Sequence, residues 1–403
     1  MGSWDSYTTG QRVKILRGPK TQEQLAEASD LSVQTIRKLE QDGAPSLPTL
    51  LAVSDALHTD VAVILGQQPP RRAMSPDDRA ALRALGAAVH DTSAGYLPDP
   101  AEDTPPTGDQ VSAALDELWR VYWEGDYSTT AALAGPLVQT AALYRQAAPV
   151  DHRAQAEGFL SDAYRAAALA ANFLGARHLA YAAVGHAATH GRAADDPVRT
   201  SMIAAARARV LLRDSRVRDA QSIAEQAARA AEPRMTERDP AAWVAFGKTI
   251  VFAAVAASRM GDADTASDLL SEAHAAAARL GRDHMINGTQ FGPSYATHQA
   301  IGVHVAVGNT GKALSLAEQF HDRSGLSHAS RSRVGLDVAV AQCDAHMYDT
   351  ALDTLLTVSE DNPVWTRHQA LAGVIMQRAG RGSTARLRRA ATALGISPGS
   401  AVR

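Results

Sequence analysis

From Gly108 onward, apolar residues recur at helical spacing in segments of about 12 to 25 residues, and no stretch shows the alternation of a strand. Residues 1–67 carry the same periodicity in shorter pieces. Between them, residues 68–107 are rich in proline and acid ("QQPPRRAMSPDD", "YLPDPAEDTPPTGD"), a linker composition with room for one short helix near Pro76 to Val89. The pattern therefore predicts an all-α chain in three parts: a compact N-terminal domain (1–67), a linker (68–107) and a long helical region (108–403).

The long region has a rhythm. Short turns followed by alanine recur at "GARHLA", "SRVRDA", "GDADTA", "GNTGKA" and "HMYDTA", ending at Ala180, Ala220, Ala266, Ala313 and Ala351. Those alanines are 40, 46, 47 and 38 residues apart. A turn, a small residue and a returning helix at such intervals mark stacked helical hairpins, the small residue letting two helices approach closely. The spacing is longer and less regular than that of a standard tetratricopeptide repeat, so the region reads as a tetratricopeptide-like solenoid. Arrays of this kind curve, and the first helix of each hairpin lines a concave surface.

"TQEQLAEASDLSVQTIRKLE" (Thr21–Glu40) is a different object. Thr21 caps one short helix that turns Leu25 and Ala26 inward; Ser32 caps a second that buries Ile36 and Leu39. Ala26 must be small where the second helix crosses it, and Asp30 must take the left-handed conformation that glycine usually supplies. Two short helices joined this way form a helix-turn-helix.

With "GQRVKILRGPK" as a first helix and "SLPTLLAVSDALHTDVAVILG" as closing helices, residues 10–66 resemble the lambda-repressor/Cro-type (Xre-family) helix-turn-helix. The whole chain, including "AARLGRDHMINGTQFGPS" and "SEDNPVWTRHQAL", resembles bacterial regulators that join this module to a tetratricopeptide-like sensor domain. Peptide-pheromone receptors of other bacteria are similar in layout. The resemblance implies that the second helix enters the major groove of double-stranded DNA with Val33, Gln34 and Thr35 toward base edges and Lys38 one turn on. Gln34 suits adenine and Val33 a thymine methyl. Gln22 is then placed for a phosphate, Ser32 lies at the helix start, and Arg37 adds charge with Arg12, Lys14, Arg17 and Lys20. Arg71 and Arg72 in the linker are further candidates.

Charge complicates that expectation. The chain carries a net charge of −3, and residues 1–67 hold six basic and eight acidic side chains, a net of −2. Affinity for DNA rests heavily on phosphate neutralisation, so a single module is expected to bind weakly and a homodimer is the expected form. A single cysteine, Cys343, gives no internal disulfide; the N-terminus lacks an apolar signal core. No stretch reads as the ~20 apolar residues of a membrane span. A cytoplasmic protein is the expectation. The alanine excess and the five lysines among 40 basic residues point to a GC-rich genome rather than to a function.

Polar residues inside apolar first helices are the candidates for effector binding. Arg165 and Asn172 lie seven apart on one face, Lys248 sits amid apolar neighbours, and Arg207 and His298 complete a set expected to line the concave groove. "GRDHMINGTQFGPSY" breaks the rhythm with three glycines and a proline, as a functional loop or as a spacer; His284, Asn287, Gln290 and Phe291 are its ligand candidates. The expected effector is a peptide or a small molecule. Other motifs fall away: "LDELWRVYW" reads as core, His186 and His190 lack a carboxylate or cysteine partner pattern for a metal, and "GNTGKA" is a repeat turn rather than a phosphate loop. His298, His304 and Lys248 form no coherent catalytic constellation, so neither an enzyme nor a cofactor is expected. The rival reading is a repeat scaffold for protein partners with an N-terminal module that does not bind DNA.

Overall fold

A computed structural model describes residues 7–57, 59, 61–66, 76–97 and 105–394. Arg71, Arg72 and most of the connecting segments lie outside them. The N-terminal module comprises α1 (Thr9–Arg17), α2 (Gln22–Ala28), α3 (Val33–Glu40), α4 (Leu47–Ala56) and α5 (Val61–Ile64). The first four helices open on Thr8, Thr21, Ser32 and Ser46, whose hydroxyls each accept a backbone N–H of the first turn. Each such cap is worth about 1 kcal/mol, which matters for helices this short. Asp30 has the positive φ that the turn demanded, at 53°. Val13, Leu25, Ile36, Leu39, Leu50, Val53 and Ile64 close a small core.

Next comes α6 (Pro76–Ser93), within the segment read as a linker. It is part of the main core instead: Leu85 and Val89 are fully buried, and Gly135 lets the helix backbone approach closely. Six hairpins follow among the described residues: α7 (Gly108–Glu124) with α8 (Tyr127–Ala147), α9 (Arg153–Phe173) with α10 (Arg177–Ala193), and α11 (Pro197–Arg213) with α12 (Val217–Ala230). Then come α13 (Pro240–Arg259) with α14 (Ala263–Leu280), α15 (Pro293–Ala306) with α16 (Thr310–Gln319), and α17 (His328–Asp344) with α18 (Tyr348–Asp361). The last helices among the described residues are α19 (Pro363–Arg367), α20 (Ala370–Arg378) and α21 (Thr384–Ala393). Ala180, Ala220, Ala266, Ala313 and Ala351, the alanines that set the rhythm, are all buried at their hairpin contacts. Helix α13 is long and apolar enough to cross a membrane by length and composition, which corrects the expectation that no stretch is. Here 78% of its apolar window is buried in the array.

Two features depart from a plain open solenoid. First, the array closes on itself. Trp365 donates its indole N–H to the Tyr127 hydroxyl (3.1 Å), and Asn362 donates to the Glu124 carbonyl (3.1 Å). Gly125 leaves room for the Trp365 ring, where a Cβ would overlap it. The turn of the first hairpin is thus bolted to the α18–α19 junction. Second, strands exist where none was expected. His284–Ile286 (β1) and Thr289–Phe291 (β2) pair antiparallel, with His284 opposite Phe291. Asn287 and Gly288 have φ of 45° and 66°, both positive, as a two-residue hairpin turn requires.

Candidate nucleic-acid interface and inter-domain cavity

In the module, α3 presents Gln34, Arg37 and Lys38 on one exposed face, as their i, i+3 and i+4 spacing requires. Ser32 is exposed and spent on capping: its hydroxyl lies 2.8 Å from that of Thr35 and accepts the Thr35 N–H. Val33 and Thr35 are half-buried, and Val33 leans on the module core. Gln22 is held inside the module. Its amide donates to Glu40 (2.7 Å) and accepts from Arg37 (3.3 Å), while Glu40 takes an ion pair from Arg17 at 2.6 Å. Burial opposes the charge on Glu40, but hydrogen bonds from Arg17 and Gln22 outweigh it and hold the carboxyl below its usual range. This network fixes the angle of α3 against α1 and α2.

The basic cluster expected to add charge is largely committed elsewhere. Arg12 is buried, 3.5 Å from the Ile64 carbonyl, and a Cβ on Gly66 would overlap its guanidinium. Arg17 serves Glu40, and Lys20 donates to the Ala56 carbonyl (3.4 Å). Lys14, Lys20, Arg37 and Lys38 are the exposed cations of the module, with Glu23 3.8 Å from Arg37.

Residues 15–64 match a family model described as helix-turn-helix. The module is an Xre-type helix-turn-helix. It is similar to the immunity repressor protein of Bacillus phage phi105, at 44% identity over 64 residues. That alignment covers 15% of this chain and 44% of the repressor, so the chain spans less than half of that relative's length.

The groove candidates fall into two groups. Arg165, Asn287, Gln290, Phe291 and Lys248 meet at the β-hairpin, which is seated in the concave face. Arg165 donates to the Thr289 hydroxyl (3.0 Å) and to the Asn287 carbonyl, is paired with Asp162 (3.2 Å), and lies 4.6 Å over the Trp119 ring. Lys248 donates to the Gln290 carbonyl (3.1 Å), and the Gln290 amide bonds the Gly325 carbonyl and the Ser330 hydroxyl, both at 2.9 Å. Phe291 is wholly buried and fills the space that Gly247 leaves open. Trp123 donates to the Gly288 carbonyl (3.1 Å). The chain's own hairpin thus occupies the part of the groove where an effector, peptide or small molecule, was expected, and most of the polar groups expected to await a ligand are satisfied by it. Asn287, in the turn, carries an exposed side chain, and His284, at the base of the hairpin, a half-buried one. Asn172 is buried with no hydrogen-bond partner for either amide atom among the described residues. Arg207 corrects the expectation: it is exposed, because α11 turns Arg209, two residues on, to the inner face.

The second group surrounds a cavity of about 280 Å³ between the array and the module. Leu47, Leu51, Val61 and Ala62 of α4 and α5 form one wall. The array supplies an aromatic wall of Tyr122, Trp123, Tyr127, Phe173, Phe252, Tyr295 and Trp365, so part of "LDELWRVYW" faces space rather than core. His298 is here too, edge-on to Tyr295. Burial, with Arg333 and Lys248 nearby, pushes its imidazole well below the usual range, so it is neutral at pH 7. Tyr295 is pushed up to about 12 by burial. The Lys248 ammonium stands 3.7 Å over the Tyr295 ring, its pKa well below the ordinary value through burial and the charges of Arg209 and Arg165. Direct packing of module on array is confined to a few contacts, chiefly Val374 of α20 inside the module core. A cleft of about 140 Å³ separates α4 from the tips of α12 and α13. Among the described residues, no cluster of three or more metal-ligating side chains occurs.

Proposed function

We propose that this chain is a sequence-specific DNA-binding transcriptional regulator that acts as a homodimer and responds to an effector held in the repeat domain. The observation that carries the reading is the placement of one small module. Its α3 face is exposed, while its α4 and α5 wall a cavity in the array. An occupant of that cavity would touch α4 and α5, which pack on α2 and α1 and through them on α3, and a coupling of about 1–3 kcal/mol suffices for a switch. The likeness to a phage immunity repressor supports DNA as the partner. Four exposed cations on a module of net charge −2 make a poor phosphate binder alone, which favours two modules per site.

Selection of DNA sites with the full chain, followed by anisotropy across a salt series, tests this. Gln34→Ala is expected to weaken the best site about tenfold and to relax preference at one base position. Lys38→Ala is expected to lower the salt slope by about one. Enrichment of no site at low salt would overturn the reading and favour the scaffold for protein partners, which the acidic balance of residues 1–67 also suits.

A further inference from the structure

Resting on the effector reading above, we infer that the inter-domain cavity takes a small carboxylate with a flat apolar body, its carboxyl group bound by Arg209. Four guanidinium groups line this cavity (Arg209, Arg213, Arg259 and Arg333) against one carboxylate among the described residues, Asp337, and Arg259 also donates to the Leu212 carbonyl (3.2 Å). Asp337 is already taken: both its oxygens lie 3.0 Å from Arg333 Nε. Arg209 has no hydrogen-bond or ion-pair partner among the described residues. Its contacts are ring faces, Phe173 at 4.8 Å and Phe252 at 5.9 Å.

Arg213, one helical turn along α11, lies over the same Phe173 ring, also at 4.8 Å. Two like charges at i and i+4 sharing one ring repel, and the low-dielectric wall strengthens the repulsion. The Lys248 ammonium, over the Tyr295 ring of the same wall, adds to that field. A guanidinium fork in such surroundings matches a carboxylate through two parallel hydrogen bonds.

The rest of the cavity sets the body of the ligand. Tyr295, Trp123 and Phe252 offer flat apolar faces, and Leu51 and Val61 close the module side. At about 280 Å³ the space is near the lower bound of ligand pockets, which suits a small molecule. The groove that would have held a peptide is filled by β1 and β2.

The test uses the full chain and a library of small aryl and alkyl carboxylates, each paired with its neutral amide and its phosphonate. Binding is read by calorimetry and by quenching of tryptophan fluorescence. The expected result is that carboxylates bind, that their amides bind about tenfold or more weaker, and that Arg209→Met abolishes this preference while Arg207→Met leaves it intact. Should Arg209→Met fail to fold, Arg209→Lys keeps the charge but loses the fork and is expected to weaken the carboxylates. Equal affinity for acids and amides, binding of phosphonates alone, no binding at all, or an unchanged Arg209 variant would each overturn the inference. DNA affinity measured with and without the bound carboxylate separates the two claims. Carboxylate binding with no change in DNA affinity sinks the effector reading and leaves the site standing, whereas DNA binding with an empty library result does the reverse.

Discussion

The concave interior holds two groups of cations, one buried and one half-buried, that differ in their partners. Around the β-hairpin, Arg165 and Lys248 each meet oxygen atoms: Asp162, Thr289 and a carbonyl for the first, the Gln290 carbonyl for the second. Beside the module, Arg209 meets, among the described residues, aromatic faces and no oxygen. The first arrangement is a finished piece of architecture; the second is unfinished in chemical terms. A buried charge in a sequence therefore announces a cost, and only its partners decide whether the fold has already offset it.

Stability measurements can break that comparison. Arg165→Met removes one side of a satisfied buried network and orphans the Asn287 carbonyl and the Thr289 hydroxyl, so urea unfolding should show a loss of about 3 kcal/mol or more. A smaller effect is expected in the pH dependence. His298 is neutral in the fold, its pKa depressed below the ordinary 6.5 by burial and by Arg333 and Lys248. The unfolded chain takes up a proton that the folded chain refuses, so stability falls as pH drops below 6.5, by at most about 1.4 kcal/mol per unit from this group. His298→Gln should flatten the profile by that amount below 6.5 and leave it unchanged above; parallel profiles would contradict a neutral buried imidazole. Smallest of all, Arg209→Met should leave stability within about 1 kcal/mol of wild type, or raise it by relieving Lys248. A loss as large as that of Arg165→Met would mean that Arg209 has a structural partner after all.

Much of the fold was legible because its signals are local. Caps at Thr21 and Ser32, an aspartate able to take positive φ at 30 and buried alanines at hairpin contacts all act within one or two turns of chain. The hairpin was missed because three-residue strands carry no periodicity, yet Asn287–Gly288 was its signal. Arg207 and Arg209 could not be told apart, since "AAARARVLLR" is apolar almost all round and fixes no helix phase. The committed state of Arg12, Arg17 and Gln22 depends on the positions of Ile64 and Glu40, which spacing does not reveal. Closure of the ring was out of reach entirely.

That closure alters how the repeats must fold. In an open array each hairpin leans on its neighbours alone, and the ends can fray independently. Here Tyr127 and Trp365, 238 residues apart, share a hydrogen bond. The ends become neighbours, so fraying of the last hairpin uncovers the first. Their contact carries the largest loop-closure entropy in the array and is expected to form late, after the intervening hairpins have drawn the ends together. The Trp365 indole, resting on Gly125, would then report completion of the ring.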